Sequence, residues 1–238
     1  MNLNSLDINK IYKKYHLTEQ EQEKIDIIIK DIYSHPEFMK RCREPFYHHN
    51  NVTLGEHIIE DAIMTYILSK KHQDKNDYDV SIALKIAMFH DLYTEPWQNN
   101  THDTRFLNKH GFRHPLEAVI NVINWYPKYF EKEKEARKII DGILHHMYPL
   151  PVDRFNDTNN KAELMNYDLI DNLSDKQKEI LYLSTNRGKL GLVSLSKSKY
   201  LEGRVVSKAD KKVTLTNYKG SRIGSITTLI SGKNKHLK

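Results

Sequence analysis

The chain has 238 residues, 39% hydrophobic and 29% charged, which suits a globular fold and excludes a disordered one, and its single cysteine, Cys42, excludes an intramolecular disulfide. Charges run through residues 1–30 (Asp7, Lys10, Lys13, Lys14, Glu19, Glu21), and no apolar run approaches the ~20 residues of a membrane helix, so neither a signal peptide nor a membrane segment is expected and the expected location is cytoplasmic. The net charge of +6 is uneven: residues 186–238 carry 13 Lys+Arg against the two acids Glu202 and Asp210, while the remainder carries 24 basic and 29 acidic residues.

Capping boxes mark the first helices, because a side-chain oxygen and a Glu three residues later satisfy the free amides of a first turn. Thr18 with Glu21 predicts a helix to about Tyr33, and Ser34 with Glu37, with Pro36 in the first turn, predicts a short one. Thr53 with Glu56 opens a longer helix in which Ile58, Ile59, Ala62, Ile63, Tyr66 and Ile67 recur at helical spacing. Residues 80–91 read as a buried apolar helix, and 115–125 and 130–146 as two more, separated by Pro127. Asn160 with Glu163 starts another, carrying Leu164, Tyr167, Leu169 and Ile170. No strand is expected before about residue 184, so the fold class is an all-α helical bundle: N-terminal helices over 1–45 pack on a core domain over 46–184.

The composition changes over 185–238. Six of the nine glycines lie there, with many Ser and Thr and with β-prone runs at 204–208, 213–218 and 223–230. This predicts a small basic appendage, β-rich or flexible, that is either a solvated tail or a surface for nucleic acid, anionic lipid or an acidic partner.

Ten of the thirteen histidines fall between His48 and His146, inside the helical domain. Each buried imidazole needs a partner for its nitrogens, so such a cluster asks for a metal or a proton-transfer role. His57 sits in a first helical turn, His90 and Asp91 end the apolar run 82–89, and Asp171 follows Leu169 and Ile170. A buried aspartate is costly unless paired or bound to a cation. Mixed nitrogen and oxygen donors suit Mn, Fe, Co, Ni or Zn ions better than Ca.

The order His57, then His90-Asp91, then a late Asp resembles the HD superfamily of metal-dependent phosphohydrolases. Gly-Phe-Arg-His-Pro (111–115) and His-His-Met-Tyr-Pro (145–149) resemble the extra histidine motifs of bacterial HD-domain hydrolases that carry a second metal, and 162–173 resembles the helix supplying the final ligand. The resemblance covers roughly 46–174 and implies an HD-domain bundle with one or two divalent metal ions, Mg included. It implies that His57, His90, Asp91 and Asp171 hold the first ion, with Asp91 bridging to a second held by His114 and His146, and that Asp91, His114 and His146 are catalytic. His145 competes with His146, and Asp168 with Asp171. His49 matches an outer histidine that touches substrate or supports a ligand, and Asn172 stands where family members usually have lysine. Lys85, Arg105, Lys109 and Arg113 could grip phosphates, and Tyr148 and Trp97 could stack a base. The activity implied is hydrolysis of a phosphoester or phosphoanhydride, with a phosphorylated small molecule or nucleotide as partner. The alternative is a nuclease or nucleic-acid-binding protein that uses the basic tail. Glu60-Asp61 lies too close to His57 to serve as the Glu-Asp pair of guanosine tetraphosphate hydrolases. No glycine-rich phosphate loop or Gly-x-Ser-x-Gly elbow competes with this reading.

Overall fold

The computed structural model describes residues 6–49, 52–96, 110–155 and 168–218. The helices are α1 (Ile8–Lys14), α2 (Glu19–Tyr33), α3 (Pro36–Lys40), α4 (Leu54–Ser69), α5 (Val80–Phe89), α6 (His110–Trp125), α7 (Glu133–Leu144), α8 (Asp168–Asp171), α9 (Asp175–Asn186) and α10 (Leu201–Tyr218). Small strands accompany them. β1 (Tyr47–His49) pairs antiparallel with β2 (Val52–Thr53), and β5 (Val193–Ser194) lies between β3 (Val152–Asp153) and β4 (Lys189–Leu190), antiparallel to both. The chain is therefore mostly helical with a few short strands. Among the described residues no helix is long and apolar enough to cross a membrane.

Thr18 and Thr53 form the expected capping boxes with Glu21 and Glu56. Ser34 instead closes α2, and the cap of α3 is His35, whose Nδ1 accepts from the Glu37 amide at 3.2 Å. The ring nitrogen reaches the first-turn amide that a serine hydroxyl one residue earlier misses. A further box, Ser174 with Gln177, opens α9. The helix expected from Asn160 falls largely outside the described residues, as does the run 223–230.

The core forms where α4 and α5 meet. Both helices are buried on nearly every face, and a helix of that kind must be covered all round. α2 covers part of them, and α7 and α10 close over the rest.

The C-terminal segment departs from expectation. The runs 204–208 and 213–218 are helical, within α10, and not β. β-branched valines lower helix propensity by only about 0.5 kcal/mol each. Burying one against neighbouring helices returns roughly 1.5–3 kcal/mol. Val205, Val206, Ala209 and Val213 sit at helical spacing and are all buried, so tertiary packing decides the outcome. Within the described residues of this segment, α10 packs into the core of the helical domain.

Two features dock α10. A Cβ on Gly203 would come within 2.7 Å of the Gly142 Cα, so this crossing of α7 and α10 requires a glycine. Asp141, 2% exposed, accepts from Ser198 Oγ at 2.7 Å, from the Lys199 amide at 2.7 Å and from Ser184 Oγ at 3.2 Å, and pairs with Arg187 at 2.7 Å. One buried carboxylate on α7 thus gathers the chain that leads into α10. Removing one partner of such a network typically costs about 3–5 kcal/mol. Thermal unfolding of Asp141→Ala is expected to begin roughly 10 °C below wild type; an unchanged midpoint would mean that Asp141 does not anchor this segment.

Candidate metal centre

His57 lies in the first turn of α4, and Asp61 follows one turn later on the same face. α5 stops at Phe89, His90 closes it, and Asp91 follows where the chain turns away. Two buried side chains fix that turn. Asn121 Nδ2 donates to the Leu92 carbonyl at 2.9 Å, and Arg41 Nε donates to the Tyr93 carbonyl at 2.8 Å. The Arg41 guanidinium is itself held over the rings of Trp125 (4.6 Å) and Phe46 (5.2 Å). His114 comes from α6, which starts at His110 and so carries Pro115 within its second turn. His146 follows the end of α7, and Asp210 comes from α10.

These side chains converge on Asp91. Its Oδ2 lies 3.8 Å from His57 Nε2 and 3.6 Å from His90 Nε2, while its Oδ1 lies 3.3 Å from His114 Nε2 and 3.6 Å from His146 Nε2. One carboxylate therefore faces two groups of imidazoles, one with each oxygen. On the Oδ2 side, Asp61 Oδ2 is 2.9 Å from His57 Nε2 and 3.3 Å from His90 Nε2, and Asp210 Oδ1 is 3.6 Å from His57 Nε2. Ligand atoms of His57, Asp61, His90 and Asp210 all lie within 4.8 Å of one another, and so do those of His90, Asp91 and His146. His48 stacks on His57 with ring centroids 3.5 Å apart and lies 3.6 Å from Asp91 Oδ2. His110 stacks on His114 at 4.7 Å.

The ring tautomers are set from behind. His90 Nδ1 donates to the Ala87 carbonyl at 2.7 Å, His114 Nδ1 to His110 at 2.9 Å, and His146 Nδ1 to Ile143 at 2.7 Å. In a neutral imidazole the other nitrogen then carries a lone pair. Yet His114 Nε2 and His146 Nε2 stand 3.1 Å apart, which is repulsive unless a proton or a cation lies between them. The buried oxygens of Asp61 and the buried Nε2 of His90 make no hydrogen bond. Imidazole nitrogens and carboxylate oxygens aimed at common points form groups that could hold a metal ion.

Charge points the same way. Asp61, Asp91 and Asp210 are buried, and among the described residues no lysine or arginine forms an ion pair with them. Burial pushes the Asp91 carboxyl up, but the surrounding His90, His114 and His146 outweigh it and hold it well below its usual range. Burial likewise raises Asp210, yet His57, His90 and His146 bring it down to about 2. Burial lowers His90, but Asp91 and Asp61 raise it to about 9. His146, facing other imidazoles, is lowered by burial, His90 and His114 to about 3. The Oδ2 side therefore attracts positive charge, and His146 on the Oδ1 side presents a neutral nitrogen. This buried His/Asp cluster could hold a metal ion.

Compared with protein-family models, curated proteins and solved structures, the chain matches none. The cluster is what describes it.

Of the residues singled out in the sequence, His57, His90, Asp91, His114 and His146 come together. Asp171 does not. It is exposed on α8, next to the buried Ile170, and belongs to none of the groups that could hold an ion. Adjacent helical residues point about 100° apart, so burying Ile170 turns Asp171 outward. The late aspartate that faces His57 is Asp210. His145 is buried away from Asp91, beside Asp141 and Ser196. Lys85 pairs with Glu135 at 3.6 Å, and Arg113 is buried at the start of α6. The side chains of His49 and Asp168 lie outside the described residues, as do Trp97, Arg105 and Lys109.

The sequence reading passed over Asp61, Asp210, His48 and His110 as members of this cluster. Asp61 stands four residues after His57, and His110 four before His114, which is the spacing of one helix face. Asp210 follows Ala209 on the apolar face Val205, Val206, Ala209 and Val213, a pattern hidden by its β-branched residues. His48 had no comparable signal. Elemental analysis of protein purified without chelator tests the exchange of aspartates. Asp210→Asn is expected to lose bound metal, its affinity falling more than ~10–100-fold, whereas Asp171→Asn keeps the wild-type content. The reverse pattern would restore Asp171.

Proposed function

We propose that this chain is an HD-type, divalent-metal-dependent phosphohydrolase that cleaves a phosphoester or phosphoanhydride, with a nucleotide as the substrate class. The observation that carries this reading is the shared Asp91 carboxylate, with Oδ2 toward His57 and His90 and Oδ1 toward His114 and His146. The chain order His57, His90-Asp91 and a late aspartate resembles the HD superfamily with Asp210 in the last place.

In this reading His57, His90, Asp61, Asp91 and Asp210 hold one ion, and Asp91, His114 and His146 hold a second. Bound there, divalent ions supply an activated water near neutral pH and charge to stabilise phosphoryl oxygens. The protein contributes position. Asn121 and Arg41 fix the turn carrying Asp91, and the backbone carbonyls behind His90, His114 and His146 orient their Nε2 atoms inward. His57 and His90 are fully buried, so their rings are withdrawn from bulk solvent. In this reading His48, 15% exposed at the side chain and 3.6 Å from Asp91 Oδ2, would pass a proton to a leaving oxygen. The alternative, a nuclease or nucleic-acid-binding protein, would use the basic residues of 186–238, of which those on α10 are held on a helix that packs against α4, α5 and α7.

Phosphate release from a panel of nucleotides and bis(p-nitrophenyl) phosphate, with added Mn²⁺ or Fe²⁺, tests the reading. Turnover is expected, falling more than ~100-fold in Asp91→Ala and on chelation, and returning when metal is restored. A metal-loaded protein inert toward the whole panel would remove the hydrolase reading and leave a metal-binding helical domain.

A further inference from the structure

A second, basic concavity lies apart from the centre. A cavity of about 390 Å³ opens between α10, the turn after α7 and the segment leading into α10. Its walls carry Lys197, Arg204, Lys208 and Lys211, together with Ser207 and Tyr148, and no carboxylate among the described residues. Arg204, Lys208 and Lys211 stand at i, i+4 and i+7, on one face of α10. Like charges at that spacing destabilise a helix by about 0.2–0.5 kcal/mol per pair. Some surface cations find acids, as in Lys128–Asp31 and Lys176–Glu179. Among the described residues none of these four forms an ion pair.

The cavity is also built rather than incidental. Lys211 Nζ donates to Ser207 Oγ at 2.6 Å and to the His146 carbonyl at 3.3 Å, and Ser207 Oγ donates to the same carbonyl at 2.5 Å. Lys197 Nζ lies 5.6 Å from the centre of the Tyr148 ring. The volume is that of a small-ligand pocket. Charge, donors and an aromatic wall suit an oligophosphate anion, alone or carried by a nucleoside.

We propose that this cavity is an anion site for a di- or triphosphate group, separated from the metal centre by the His146 backbone. The His146 ring faces Asp91, while its carbonyl meets the donors that line the cavity. Asp210 and Lys211, adjacent on α10, serve the two places in the same way. The inference goes beyond the hydrolase reading and does not depend on it.

Titration calorimetry of the full chain with inorganic pyrophosphate tests it, both as purified with metal and after chelation. Saturable binding is expected in both states, weakened ~10-fold or more in Arg204→Ala/Lys208→Ala, whose metal content stays at the wild-type value. Both residues are exposed, so this variant keeps the core intact. Lys189→Ala/Lys212→Ala removes equal charge outside the cavity and should leave the affinity unchanged. Absence of saturable binding, equal weakening by both pairs, or binding that disappears with the metal and persists in Arg204→Ala/Lys208→Ala would each overturn the proposal.

Discussion

Three carboxylates, Asp61, Asp91 and Asp210, are withdrawn from water inside a helical core, and the architecture follows from that constraint. An ionised carboxylate buried without compensation costs several kcal/mol even after relaxation. Imidazoles supply part of the compensation, and they arrive from α4, from the ends of α5 and α7, and from α6. They do not complete it, because backbone carbonyls behind His90, His114 and His146 hold the rings with their lone pairs inward. Acceptors facing acceptors at 3.1 Å is an arrangement that only added positive charge relieves. The apolar packing of α4 against α5 supplies the rigid frame in which that tension is held.

Completion of the centre is inseparable from the docking of α10. Asp210 reaches His57 only if α10 lies across α4, α5 and α7, and that crossing uses the Gly203–Gly142 contact and the segment gathered by Asp141. Glu202, 1% exposed, adds a second buried link, to Lys138 at 2.5 Å and to the Asp79 amide at 3.1 Å. A ligand that binds the assembled centre therefore stabilises the C-terminal docking as well, by about 2.7 kcal/mol when present at a hundred times its Kd.

How far the sequence reveals this depends on which forces decide each element. Capping boxes at Thr18 and Thr53 and the apolar runs of α4 and α5 were legible because local chemistry and burial agree there. The convergence of His57, His90-Asp91, His114 and His146 was legible because each lies at or near a helix end whose position the pattern marks. α10 was not. Valine, threonine and glycine spell a strand locally, and only the space left open by α4, α5 and α7 turns them into a helix. The expectation for Asp171 rests instead on the resemblance of 162–173 to a ligand-bearing helix, and nothing local in the β-prone sequence of α10 points to Asp210. Asp61 carries a local signal, since its spacing of four residues from His57 puts the two on one helix face.

The charge asymmetry takes on a different meaning once α10 is seen to be folded. The two acids of residues 186–238, Glu202 and Asp210, are both buried, one against Lys138 and one against His57. Both acids of this segment therefore face the interior, while Arg204 and Lys208 stay exposed on α10. With Lys211 they are aligned on the outer face of the helix whose inner face carries Asp210. A solvated tail would spread its charge along a flexible chain. A helix fixed by Gly203 and Glu202 holds those cations at set spacing around a concavity, and fixed spacing is what allows charge to select a ligand rather than merely attract one.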